Sequence, residues 1–151
     1  MAGTKSDQDT TIHLRRTFAA PREKVFRAWT EKEALNRWWA PPGFENTSIA
    51  TDLRVGGGYD FRMRKLPGGP EFHILGTFKE VKPPERLVYT WNWTEARGMG
   101  ETLVTVEFRD LKGSTEVILT HALIRDEELR RNHAAGWGGC FDRVAEYLSS
   151  K

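Results

Sequence analysis

The stretch HAAGWGGCFDRVAEYL, residues His133 to Leu148, crowds three glycines, a tryptophan, a histidine and the only cysteine of the chain into its first eight positions. A phosphate-binding loop needs a strand directly before its glycines and a helix opening after them. Neither condition holds. No Lys-Ser/Thr pair follows, and GWGG lacks the GxGxxG spacing of a dinucleotide site. Leu129, His133, Trp137, Cys140, Phe141, Val144 and Leu148 recur at spacings of three and four, which predicts one face of an amphipathic helix of about six turns. Arg130, Arg131, Asp142 and Glu146 take the opposite face. Asp126 is the expected N-cap, with Glu127 and Glu128 set against the positive end of the helix dipole. Glycines inside such a helix cost about 1 kcal/mol each relative to alanine. Close approach of a sheet would offset that cost, and so would missing side-chain volume over a cavity; spacing alone does not choose between them. Cys140 has no cationic neighbour at helical contact spacing and reads as a small buried hydrophobe.

Upstream, the pattern is of strands. TIHLRRTF (11–18) sets Ile12, Leu14 and Phe18 on one face, interrupted by Arg16. Arg16 reads as a chain-end residue or as the partner of a carboxylate at a cavity edge. Ala20-Pro21 opens a helix with the stripe Val25, Phe26 and Trp29. Thr30-Glu31-Lys32-Glu33 has the spacing of a capping box, so a second short helix carrying Leu35, Trp38 and Trp39 is expected, stopped by Pro41-Pro42-Gly43. Strands are then predicted over 48–54, 59–64, 72–78, 87–93, 102–109 and 116–123, the first ending in a glycine bend at 56–58 and the others separated by turns at 67–70, 82–85 and 110–114 and a loop at 96–100. Tyr59, Phe61 and Met63 alternate with Asp60, Arg62 and Arg64, as in a half-buried antiparallel strand with a solvated outer face. About seven strands with short connections predict antiparallel hairpins.

Composition narrows the function. The 151 residues fit one domain over 11–151, behind a polar, frayed tail at 1–10. With 23 basic and 21 acidic residues interspersed, the formal charge is +2, and nucleic acid is not an expected partner. No apolar run reaches the roughly 20 residues of a membrane span. A single cysteine requires no oxidising compartment, so cytoplasm is the default location. His13, His73, His121 and His133 show no metal-ligand spacing, so neither metal nor cofactor is expected, and no GxSxG elbow occurs.

The ordered motifs resemble a known family. They are Ala20-Pro21 with Val25-Phe26-Arg27-Ala28-Trp29; Trp38-Trp39-Ala40-Pro41; Asp52-Leu53-Arg54-Val55-Gly56-Gly57; Gly76-Thr77-Phe78-Lys79-Glu80-Val81; Pro83-Pro84-Glu85-Arg86-Leu87; Gly136-Trp137; and Phe141-Asp142-Arg143-Val144. Together they resemble the helix-grip fold of the START and birch-pollen-allergen superfamily. Within it they resemble the branch named after the activator of the ninety-kilodalton heat-shock chaperone's ATPase. The resemblance implies an α+β fold: a curved antiparallel sheet wrapped around the long C-terminal helix, two short helices after the first strand, and an apolar cavity between sheet and helix. It also implies a small apolar or aromatic ligand, with Phe61, Met63, Phe78, Tyr89, Trp91, His133, Trp137 and Phe141 as the expected lining and His133 or Tyr89 orienting a polar group.

Two alternatives accompany that reading. One is a stress-response partner of a heat-shock chaperone, with an exposed apolar surface at Trp38 and Trp39; eukaryotic members carry an additional N-terminal domain that this sequence is expected to lack. The other is a cofactor-free cyclase or hydrolase using His133. Binding is favoured over turnover, and the chain is compatible with a monomer or a homodimer.

Overall fold

In a computed structural model, which describes residues 10–40, 43–94 and 100–149, seven strands form one antiparallel sheet. They are β1 (Ile12–Phe18), β2 (Phe44–Thr51), β3 (Gly58–Lys65), β4 (Glu71–Lys82), β5 (Arg86–Trp93), β6 (Thr102–Asp110) and β7 (Thr115–Ala122), ordered β1-β7-β6-β5-β4-β3-β2 across the sheet. Three helices complete the fold: α1 (Arg22–Thr30), α2 (Lys32–Trp38) and α3 (Glu127–Ser149). This is the expected helix-grip architecture. β2 begins at Phe44, ahead of the expected Ser48. Its register shifts between Asn46 and Ser48, and the Asn46 amide donates to the carbonyls of Leu35 and Asn36 in α2. The tail at 1–9, Pro41-Pro42 and most of the 96–100 loop lie outside the described residues.

The period-two rows face the helix. Tyr59, Phe61 and Met63 are buried on β3, and Val117, Leu119 and His121 on β7. On the outer face, Asp60 pairs with His73 at 2.6 Å and with Arg62 at 3.4 Å. The capping box does not form. Thr30 is the last residue of α1, and its hydroxyl donates to the Phe26 carbonyl four residues back at 3.0 Å. Glu31 precedes α2 without a side-chain cap. A carbonyl within reach of a threonine hydroxyl inside a helix competes with the capping role. Asp126 does cap α3, accepting from the Leu129 amide at 2.9 Å.

The helix α3 is held tightly over its C-terminal half. Phe141 meets the rings of Phe18 and Trp29 edge-on, at centroid distances of 6.1 and 5.7 Å. Val144 and Leu148 are buried behind it. Arg16 pairs with Asp142 at 2.8 Å and stacks over the Phe141 ring, so the cation inside the apolar row of β1 finds its partner on the helix. The Cys140 thiol donates to the Trp39 carbonyl, and Arg143 donates to the carbonyls of Ala40 and Arg37. These are acceptors that the end of a helix leaves unpaired.

Gly76 lets the Tyr59 ring and the Thr90 carbonyl approach β4 closely. The Tyr59 ring lies across it, with the Tyr59 hydroxyl donating to the Thr90 carbonyl. A Cβ at Gly76 would stand 2.1 Å from that carbonyl oxygen and 2.3 Å from the ring. Because the first obstacle is backbone, Gly76→Ala is expected to destabilise the fold by about 3 kcal/mol, at the upper end of overpacking penalties. Urea unfolding of the variant checks this, and a change under about 0.5 kcal/mol would contradict the close approach.

Candidate functional site

Between the N-terminal half of α3 and the concave face of the sheet lies a cavity of about 690 Å³. Gly136 and Gly139 line it, and a Cβ built on Gly136 meets no atom within 4 Å. Of the two uses for helix glycines, Gly136 therefore serves absent volume and not close packing.

The eight expected lining residues separate into three groups. Met63, Trp91, His133 and Trp137 come together on the cavity wall. Phe61, Phe78 and Tyr89 instead border a small void of about 20 Å³. They pack with Tyr59 at ring distances of 4.8, 5.7 and 5.5 Å, and Trp39 sits edge-on to Phe61 at 5.0 Å. This aromatic stack, plugged by the two short helices, fills one end of the concave face. Phe141 borders neither space, because it is wedged between Phe18 and Trp29. Burial raises the pKa of the Tyr89 hydroxyl well above its ordinary value.

Four further aromatic side chains in the wall were outside the expected set: Trp39, Phe44, Phe72 and Trp93. Period-two phase could have found Phe72 and Trp93, since they extend the inward rows containing Ile74 and Trp91. Lys65 and Asn132 are polar residues of the lining. Lys65 ends the inward row of β3, directly opposite Phe44 in the register. Its charge disguised its phase.

Two tryptophan–histidine hydrogen bonds span the gap between helix and sheet. The Trp93 indole donates to His133 Nε2 at 3.0 Å, and the Trp137 indole donates to His121 Nδ1 at 3.1 Å. An indole N–H can only donate, so each of these ring nitrogens is an acceptor. The other nitrogens then carry the protons. His133 Nδ1 donates to the Leu129 carbonyl at 2.8 Å, and His121 Nε2 donates to the Thr102 hydroxyl at 2.8 Å, which donates onward to the Trp91 carbonyl at 3.1 Å. With both ring nitrogens engaged, His133 is occupied as a structural acceptor and donor. That weighs against its expected use as a general base. Trp91 is 5% exposed, and among the described residues its own indole nitrogen has no hydrogen-bond partner.

The exposed surface expected at Trp38 and Trp39 is absent. Trp38 is 0% exposed and Trp39 5%. The Trp38 indole packs on Trp29 at 4.7 Å and donates to the Ala28 carbonyl at 2.7 Å. Among the described residues no cluster of His, Cys, Asp and Glu could hold a metal ion, and no helix is long and apolar enough to cross a membrane.

Residues 19–149 match the family model described as activator of Hsp90 ATPase homolog 1-like protein. A solved structure from Chromobacterium violaceum is 29% identical, with a TM-score of 0.84 over 91% of this chain and 95% of its own. The AHSA1 protein of Silicibacter pomeroyi is 27% identical, with a TM-score of 0.80 over 92% and 97% of the two chains. A protein of Nitrosomonas europaea is 25% identical, with a TM-score of 0.80 over 95% and 97%. No curated protein matches the chain in sequence.

His121 is 0% exposed, and burial, reinforced by nearby His133, holds its pKa well below the ordinary value. In the unfolded chain a histidine binds a proton near pH 6.5. Below that pH the unfolded chain gains a proton that the folded chain excludes. Stability is therefore lost as pH falls from about 6.5 toward the folded pKa, at up to about 1.4 kcal/mol per pH unit for one such group. Urea unfolding at pH 7.5 and pH 5.5 measures this, and equal stabilities would contradict the buried neutral imidazole.

Proposed function

The chain belongs to the family of activator of Hsp90 ATPase homolog 1-like proteins, and from that membership we propose that it binds a small apolar or aromatic molecule between its sheet and its long helix. One observation carries the reading: the helix omits side-chain volume at Gly136, where it faces a cavity of about 690 Å³. Ligand sites span about 300–1,000 Å³ and combine an apolar wall with a few placed polar groups. The wall here has that make-up, with Trp39, Phe44, Met63, Phe72, Trp91, Trp93 and Trp137 providing ring and thioether surface. Burial of ligand surface would supply roughly 25 cal/mol per Å² of apolar area. The two indole–imidazole bonds support the same reading, because they keep the walls in place when the space is empty and so reduce the ordering cost of binding.

Two substitutions at one position separate fold from function. Gly136→Ala should stabilise the protein by about 1 kcal/mol, the difference in helix propensity, because the methyl group meets nothing. Gly136→Leu should fold as well and lose binding, because its side chain occupies the ligand's space. Native mass spectrometry of freshly purified protein reads the bound molecule directly. The expected result is a co-purified apolar species that the leucine variant lacks. Absence of any bound mass, together with no thermal stabilisation by fatty acids, sterols or aromatic polyketides, would overturn the proposal.

A further inference from the structure

Resting on the reading of the cavity as a ligand site, we infer that its ligand is an amphiphilic anion, an apolar or aromatic body ending in a carboxylate that reaches Lys65. Among the described residues, Lys65 is the one lining side chain of fixed charge, and no described carboxylate lines the cavity. Among the described residues no acidic group pairs with the Lys65 ammonium, although eight arginine–carboxylate pairs form across the molecule. Its position follows from the strand. Tyr59, Phe61, Met63 and Lys65 are alternate residues of β3 and share its inward face, so the row that begins in the core ends in an exposed lysine that lines the cavity. A lysine at the end of an apolar row lays its methylene stem along that surface and keeps its charge at the water boundary. A neutral apolar ligand would leave that charge unused, whereas a carboxylate would meet it as the tail entered the aromatic wall. The other polar groups near the cavity bear on the same choice. The His133 ring nitrogens are both engaged, and the described lining residues offer no acidic partner for a cationic headgroup.

Binding of 1-pyrenebutyrate and of its neutral analogue 1-pyrenebutanol, followed by calorimetry, tests the inference. The anion should bind about fivefold more tightly at low salt, the ratio set by about 1 kcal/mol for a solvent-exposed ion pair. That preference should shrink toward parity as salt is raised to about 0.5 M. In Lys65→Met, which keeps an apolar stem of similar length, the two probes should bind equally, with the alcohol's affinity unchanged. Lys65→Arg should keep the preference. Equal affinities in the parent protein, or a preference that survives Lys65→Met, would overturn the anionic class while leaving a neutral apolar site standing. If neither probe binds and Gly136→Leu changes nothing, the cavity reading itself fails and takes this inference with it.

Discussion

The long helix is attached to the sheet in two different ways, and the hollow between them depends on that difference. Over its C-terminal half, α3 is held by dispersion and by closed hydrogen bonds. Phe141 is wedged between Phe18 and Trp29, and Arg143 and Cys140 occupy the carbonyls that end the second short helix. Over its N-terminal half the contacts are ring-on-ring and directional, made by His133 and Trp137 with Trp91, Trp93 and His121. Two imidazoles and two indoles bridge the gap, while the helix offers glycine where a larger residue would close it. Close packing is short-ranged and leaves no space. A hydrogen bond between two large rings fixes a separation without filling what lies beside it. One helix can therefore serve as core at one end and as cavity wall at the other.

The polar chemistry of the wall follows from what an indole can do. Trp93 and Trp137 have only donors, so His133 and His121 must be neutral acceptors, and their remaining protons go to Leu129 and Thr102. This commits each imidazole to one tautomer. The arrangement is suited to holding shape and poorly suited to moving protons, in line with the proposed binding role. The family membership agrees with the architecture on which this rests.

Much of the fold was legible because strands with one buried face write their phase into the chain. Tyr59, Phe61 and Met63 against Asp60, Arg62 and Arg64 is such a record. The same phase placed Met63, Trp91, His133 and Trp137 on the inward surface, where all four border the cavity. Phase does not report depth along an element. Phe78 and Tyr89 face inward like Trp91 but lie where the short helices plug the interior, and Phe141 lies where the helix touches down. The capping pattern at Thr30 failed because a nearer acceptor, the Phe26 carbonyl, was invisible in a local spacing rule. Lys65 escaped notice because charge outweighs phase when inward faces are sought by hydrophobicity alone.

The single cysteine has a practical consequence. Burial pushes the Cys140 thiol up to about 12, and its proton is directed at the Trp39 carbonyl. At neutral pH almost no thiolate forms, so the native thiol is a poor nucleophile toward alkylating reagents in the folded state. A second cysteine placed on the exposed turn before β7 would then be the selective attachment point for a dye or spin label. The native cysteine could stay in place, together with the contact that fastens the helix.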